Sequence, residues 1–413
     1  MEQAMTAADS FDITIAGGGY VGLSLALGLA RSVPGVKIAV IDPKHWTALA
    51  GDPRASAIAA AARHMLDALG VWNGIAAEAE PILSMIVTDS RLGDVVRPVF
   101  LTFDGTTGSG EPFAHMVPNG RMVAELGKAA EVAGVHMIGG DEVADCRITA
   151  ATAEITLKSG RNIVTRLLVG ADGARSRVRS LAGIGVNEWS YGQSGIVTTI
   201  AHDQPHNGRA EEHFLPSGPF ATLPLKGGYQ SSLVWSEKTE LADRLVAGDE
   251  LVFEAELVRR LGHHLGDIRV VGRRAAYPLG LKLARAFVSP RLALVGDAAH
   301  AVHPIAGQGL NLGFRDVAAL IEVLAEALRI GRDPGAIDVL EDYQRWRRFD
   351  TLKMAMVMDT LTRLFSNDLA PVRSLRDLGL GLVDRLPPLK RFFIGEAAGS
   401  SPRLPRLLKG EPV

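Results

Sequence analysis

A chain of 413 residues, 47% of them hydrophobic, can bury a large core and has the length for two or more domains. Lys+Arg 44 against Asp+Glu 46 leaves a formal charge of −2, which supplies no global attraction to nucleic acid. A single cysteine, Cys146, excludes an internal disulfide and a cysteine-built metal or iron–sulfur site, and suits a reducing cytoplasm. The N-terminal stretch lacks a basic start followed by an apolar core, so no signal peptide is expected, and no run is long enough to span a bilayer.

Phe11 to Ala16 alternates and is β-rich, Gly17-Gly18-Gly19-Tyr20-Val21-Gly22 supplies G-x-G-x-x-G, and Leu23, Ala26, Leu27 and Ala30 continue at helical spacing. A second strand, Val36 to Ile41, ends in Asp42. Strand, turn, helix and acid together make a dinucleotide site: the glycines let backbone approach a pyrophosphate, and the acid bonds ribose hydroxyls. The motif does not separate FAD from NAD. Asp52-Pro53-Arg54-Ala55-Ser56 reads as a loop before a helix over Ala57 to Leu69. The planar fork of Arg54 suits a phosphate or a ring edge, and a solvated loop charge is the plain alternative.

Ile82 to Phe103 reads as strands leaving the nucleotide fold, Asp104 to Glu111 as a loop, and Arg121 as opening a helix to about Ala133 with Asn119 as its cap. Val135 to Val143 reads as a strand and Ile148 to Leu168 as a hairpin. Leu167 to Arg179 carries a buried strand ended by Asp172-Gly173, with a helical segment starting at Ser176. Trp189 to about Arg274 has no nucleotide signature and alternates, so it reads as a substrate-domain sheet. Within it Phe214, Phe220 and Pro224 are candidates to wall an aromatic pocket, against the plainer reading as core residues.

Leu292 to Val295 reads as a buried parallel strand ended by Gly296-Asp297, where a carboxylate can meet a ligand. Pro304 to Gly309 turns the chain into a helix predicted from Leu310 to about Leu328. Gly307 and Gly309 remove side chains where backbone must approach a flat ligand, and the free N–H groups of the helix start suit a delocalised anion. Gln344 to Met358 and Thr360 to Phe365 continue as helix, and from Leu361 basic residues outnumber acidic ones. Such a tail can lie on an anionic membrane or form a solvated face.

Three markers in this order carry a resemblance: the glycine turn with Asp42, Asp172-Gly173, and His303-Pro304-Ile305-Ala306-Gly307-Gln308-Gly309 followed by Asn311, Gly313 and Asp316. The last stretch resembles the signature of the ubiquinone-biosynthesis hydroxylases, a family of class A flavoprotein monooxygenases, and the likeness extends over nearly the whole chain. It implies an α/β fold: a Rossmann-type FAD-binding domain over 1–81, 114–186 and 275–330, an inserted β-sheet substrate domain over 82–113 and 187–274, and a C-terminal helical region over 331–413. It implies FAD contacts from Gly17, Gly19, Tyr20, Val21, Gly22, Asp42, Arg54, Arg121, Val143, Asp172, Asp297, Pro304, Gly307, Gly309, Leu310 and Asn311, with Pro304, Gly307, Gln308 and Gly309 positioning the flavin.

The implied activity is hydroxylation of a polyprenyl phenol or quinone precursor with NAD(P)H and O₂, through a flavin C4a-hydroperoxide, in the cytoplasm or at the membrane periphery. No H-E-x-x-H, cysteine pair, G-x-S-x-G or Walker motif offers metal, thiol or acyl-transfer chemistry, so the cofactor must supply the reactivity. Three alternatives stay open: a hydroxylase of a soluble aromatic, a flavin reductase or oxidase without oxygen insertion, and a non-enzymatic scaffold in a quinone-pathway complex. His300 and His303 beside Gly/Pro turns read as structural hydrogen-bonders, and no acid or base is assigned.

Overall fold

The computed structural model describes residues 9–89, 99–104, 110–302, 307–365 and 403–413. The first sheet begins with Asp9–Ala16, which pairs in parallel with Ile38–Asp42 on one side and Asn162–Gly170 on the other. Leu292–Leu294 extends it in parallel beyond Asn162–Gly170, and His136–Gly139 beyond Ile38–Asp42. Ile13, Ile15, Leu167, Leu168 and Leu294 are fully buried, as both faces of a parallel sheet are when helices cover them. The hairpin predicted over Ile148 to Leu168 is present as Ala153–Leu157 paired antiparallel with Asn162–Gly170, and Val143–Ile148 adds a further antiparallel strand beyond it that the sequence reading did not include.

Helices Tyr20–Ser32 and Gln308–Arg329 pack against each other over this sheet and against its core. A third long helix, Ile337–Phe365, takes in both stretches read as helix, Gln344 to Met358 and Thr360 to Phe365. The segment from Arg403 returns to the same core, where Leu407 and Leu408 are buried and Arg329 Nη2 donates to the Val413 carbonyl oxygen at 2.8 Å. The end of the basic tail is therefore part of the nucleotide-side core; residues 366–402 lie outside the described residues.

The second sheet runs from Val99–Asp104 through Ser84–Asp89, Arg209–Leu215, Gly218–Pro224, Gln230–Lys238 and Val186–His202 to Ala275–Ala284 and His300–Ala301. The strands leaving at Ile82 do join it, but so does Ala275–Ala284, which the sequence reading assigns to the nucleotide domain. Two helices, Thr239–Ala247 and Glu250–Leu261, interrupt the stretch read as continuous sheet. They bury Leu245, Phe253, Leu257 and Leu261 against Ile196, Phe220, Leu233 and Trp235 on one face of the sheet. The other face is left toward the nucleotide side. A small sheet of Ala55–Ala59, Ala114–Pro118 and Glu80–Pro81 lies between the two, so the helix predicted from Ala57 begins at Ala60.

Candidate functional site

A cleft of about 530 Å³ opens between the two sheets. Gly19, Tyr20, Val21, Arg54, Asp297, Gly307, Gly309 and Leu310, separated by up to the whole nucleotide fold in sequence, all line it. Glycine occupies the cap position of both helix starts, Gly19 for Tyr20–Ser32 and Gly307 for Gln308–Arg329, so neither start carries a side-chain cap. Two sets of free backbone N–H groups, each at the positive end of a helix, thus open on one cavity.

The glycine turn behind the first of these is set by contact. Gly17 adopts φ +116°, and a Cβ on it would stand 2.2 Å from the Ala171 carbonyl oxygen; one on Gly22 would stand 1.9 Å from the Gly17 carbonyl oxygen. Asp42 lies beside this turn, where its Oδ2 accepts the Gly18 N–H at 2.7 Å and its Oδ1 the Lys44 N–H at 2.8 Å.

Arg54 forms a fork with Asp52: Nε donates to Oδ1 at 2.9 Å and Nη2 to Oδ2 at 2.8 Å. Its guanidinium carbon also lies 5.5 Å from the centre of the Tyr277 ring. Burial opposes the charge on Asp52, but the Arg54 fork and the Asn119 amide hold that carboxyl below its ordinary value. Across the cleft burial, with Asp297 and Asp52 nearby, pushes the Tyr20 hydroxyl up to about 12, so it stays a neutral donor. The Asp297 carboxyl opens onto the cleft but is walled by protein elsewhere; this desolvation raises its pKa, and the charge of His300 only partly opposes it.

Behind the Gly296-Asp297 turn lies a buried ionic network. Asp316, fully buried, accepts from the Gly296 N–H at 3.0 Å and from Arg347 Nε at 2.8 Å, and its Oδ2 lies 2.5 Å from His300 Nε2. Burial would raise the Asp316 pKa, but His300 and Arg347 together lower it. Arg347 also bonds Asp350 at 2.6 Å, and Tyr343 donates to the Leu294 carbonyl oxygen at 2.8 Å. Helix Ile337–Phe365 thereby holds the end of the Leu292–Leu294 strand and the turn that follows it. His300, 1% exposed, belongs to this network, in keeping with its reading as a structural hydrogen-bonder.

Other expected contacts fall elsewhere. Arg121 does not line the cleft: its Nε donates to the Gly74 carbonyl oxygen at 2.7 Å, and it faces Glu78 and Glu125. Asn119 is not the cap of that helix, a place taken by Pro118; it is buried, accepts from Ser56 Oγ at 2.8 Å and donates to Asp52. Asp172 accepts from Ser176 Oγ, Arg177 N–H and Val178 N–H, and thus fixes a helix start, while its neighbours Ala171 and Gly173 line the cleft. Asn311 pins the turn, with Oδ1 accepting from Ala59 N–H and Nδ2 donating to the Ala57 and Gly307 carbonyl oxygens. Val143 starts a strand in the core and is not among the cleft-lining residues. His303, Pro304, Ile305 and Ala306 lie outside the described residues, as does the side chain of Gln308.

Two of the three substrate-pocket candidates face the wrong way. Pro219, Ala221 and Leu223 line the cleft, so the alternating Phe220 and Pro224 point to the opposite face, where Phe220 packs on Trp235 in the helix-covered core. Phe214 lies on the cleft-side face but packs against Val87, Leu312, Met354 and Met358 instead of lining the cavity. The sequence reading also passed over Asp52, Tyr277 and Glu212. Of these only Glu212 had a visible signal, as one of two adjacent acids, Glu211 and Glu212, in the short stretch Ala210 to Leu215. Among the described residues no group of three or more His, Cys, Asp or Glu is arranged to hold a metal ion.

Comparison with known proteins adds ancestry to this geometry. A family described as FAD binding domain matches residues 10–354. The chain is 45% identical over 410 residues to the ubiquinone hydroxylase UbiL of Rhodospirillum rubrum, covering 97% of this chain and 93% of that protein. It is 36% identical to the 3-demethoxyubiquinol 3-hydroxylase of Escherichia coli, covering 94% of this chain and 98% of the relative. Among solved structures, p-nitrophenol 4-monooxygenase PnpA of Pseudomonas putida superposes with a TM-score of 0.78 at 19% identity, over 96% of this chain and 100% of that one. At that identity the likeness speaks for the fold alone.

Proposed function

This chain belongs to the FAD-dependent monooxygenases of ubiquinone biosynthesis, and from that premise we propose that it hydroxylates the ring of a polyprenylated phenol or quinone precursor with NAD(P)H and O₂. The observation that carries the reading is the single cleft bounded by two helix starts with glycine caps and, opposite them, by an apolar sheet face. The cavity fits FAD by the chemistry of its donors: backbone amides for a pyrophosphate at Gly19 to Val21, and amides for the anionic edge of a reduced ring at Gly307 to Leu310. When bound, FAD accepts a hydride from NAD(P)H and activates O₂.

The protein's share is positioning, charge stabilisation and exclusion of water. Asp42 meets the ribose beside the glycine turn, and Arg54, oriented by Asp52, meets the cofactor where the loop borders the cleft. Met85, Pro219, Ala221, Leu223 and Val234 supply the apolar surface for the aromatic ring. An oily substrate is drawn from a membrane surface. Among the described residues no helix is long and apolar enough to cross a membrane. Phe349 and Met356, 78% and 69% exposed, stand beside Arg348 and Lys353 on one helix and suit contact with anionic lipid.

The test is oxygen incorporation. Purified protein loaded with FAD is expected to oxidise NAD(P)H faster when a prenylated phenol is present, and to place one atom of ¹⁸O₂ in the product. Phenol-stimulated NAD(P)H oxidation with no label in the ring would turn the reading to a reductase or oxidase. Flotation with anionic vesicles at low but not high salt tests the membrane contact separately.

A further inference from the structure

Two acids, Glu211 and Glu212, border the sheet-side wall of the cleft. Met85, Pro219, Ala221, Leu223 and Val234 line it together with Ser236. Glu212 stands among them, paired across to Ala221 on one side and Val87 on the other, and is 4% exposed. Its neighbour Glu211 also borders the cleft, but sends its carboxylate to the far side, toward His213 Nε2 at 3.3 Å and His264 Nε2 at 2.9 Å. Side chains alternate along a strand, so the commitment of Glu211 to the far side turns Glu212 toward the cavity. Ala221 and Val234, on the adjoining strands of the same row, face it too. A carboxylate in a row otherwise made of Val87, Ala221 and Val234 sets a proton acceptor beside the apolar surface proposed for the aromatic ring.

We propose that Glu212 receives the proton of the substrate's phenolic hydroxyl. This rests on the hydroxylase reading above. Oxygen delivered to an aromatic ring attacks as an electrophile, and a phenolate ring is far more electron-rich than a phenol. A phenol with a pKa near about 10 is scarcely ionised at neutral pH, so a base beside the ring governs the rate. In the step the substrate O–H bond breaks, the proton goes to a Glu212 Oε, and the electron pair stays on the substrate oxygen, conjugated into the ring. Nothing is oxidised or reduced in it, and the proton returns to solvent after product leaves. Of the other acids that line the cleft, Asp52 is held in its fork with Arg54 and Glu211 is turned to the far side, which leaves Asp297 as the rival base.

The experiment compares two probes on the FAD-loaded enzyme: 2-prenylphenol, and a polyfluorinated 2-prenylphenol that retains one ring C–H and is already ionised at the assay pH. Glu212→Gln is expected to lower kcat on 2-prenylphenol about 100-fold, and on the ionised analogue by no more than about threefold. Bound FAD and its spectrum should be unchanged, and Glu212→Asp should recover part of the loss. Equal losses on both probes would make Glu212 structural and overturn the proposal, as would no loss on either, or a selective loss in Asp297→Asn in place of Glu212→Gln. If the wild-type enzyme puts no ¹⁸O into either probe, the hydroxylase reading itself fails and takes this proposal with it. That outcome is distinct from the others, all of which require an active wild type.

Discussion

The nucleotide-side wall of the cleft exposes backbone at Gly19, Gly296, Gly307, Gly309 and Gly313, whereas the sheet-side wall has no glycine and presents side chains, from Met85 and Glu212 to Leu223 and Val234. The first wall can be rigid only if something behind it is, because glycine contributes no packing of its own. That support is the buried network of Asp316, His300 and Arg347. The second wall is a strand face, whose shape follows from which alternate residues point inward. A substitution behind the first wall should therefore act through stability, and one on the second through substrate chemistry.

The sharpest break of this contrast is Arg347→Met. It takes from the buried Asp316 one of the two partners that lower its pKa, and a loss of about 3–5 kcal/mol is expected, read by urea unfolding of the apo-protein. A loss below about 1 kcal/mol would mean that the backbone wall does not depend on the network. Next comes Gly307→Val. Gly307 has φ +63°, and a Cβ there would lie 3.1 Å from that of Ala57. Valine in the left-handed region should cost about 1–3 kcal/mol, so the substitution is not purely functional. Turnover should fall further than stability explains, by about 100-fold in kcat for protein that remains folded and FAD-loaded. Equal activity per folded molecule would sever the helix start from the chemistry.

Smaller effects refine the picture. Arg54→Ala removes a half-exposed pair with Asp52, so the melting curve should move by less than about 1 kcal/mol while FAD affinity weakens about tenfold. Isothermal titration of apo-protein with FAD measures the second quantity, and unchanged affinity would confine Arg54 to the loop. The mildest test concerns the far side of the sheet. Burial would raise the Glu211 carboxyl, but hydrogen bonds from His213 and His264 and the charge of Arg209 hold it well below the usual carboxylate range. A depressed folded-state pKa gives stability that is complete above the unfolded value near about 4.3 and is lost as pH falls through the folded one. Wild-type protein should therefore lose its advantage over Glu211→Gln on acidification below about pH 5, in denaturant melts taken across that range. A constant difference would show that Glu211 acts through shape alone.

Much of the first wall was legible in the chain, because its features are local. Glycines between a strand and a helix must bring backbone close to something, and Gly17 to Gly22 and Gly307 to Gly309 do so within a few residues of the elements that place them. The helices over Thr239–Ala247 and Glu250–Leu261 were legible too and were passed over. Asp249 caps the second by accepting from Leu251 N–H at 2.8 Å, and Phe253, Leu257 and Leu261 keep helical spacing.

Sequence by itself determined the dinucleotide turn with the strand and helix that flank it and the family to which the chain belongs, since each rests on residues close together in the chain. Only the tertiary structure decided the rest. The strand Gly218–Pro224 reads as alternating in either register, and pairing with Arg209–Leu215 and Gln230–Lys238 is what turns Ala221 to the cleft and Phe220 to the helices. Arg121 and Asn119 sit two residues apart at a helix start, yet Gly74 and Glu125 claim the first and Asp52 and Ser56 the second. Asp316 finds Arg347 across a helix packing that no local pattern encodes. A strand's period fixes that its faces differ, and a side chain's polarity fixes that it needs a partner. Which face meets the cavity, and which partner is met, are set by contacts between segments far apart in the chain.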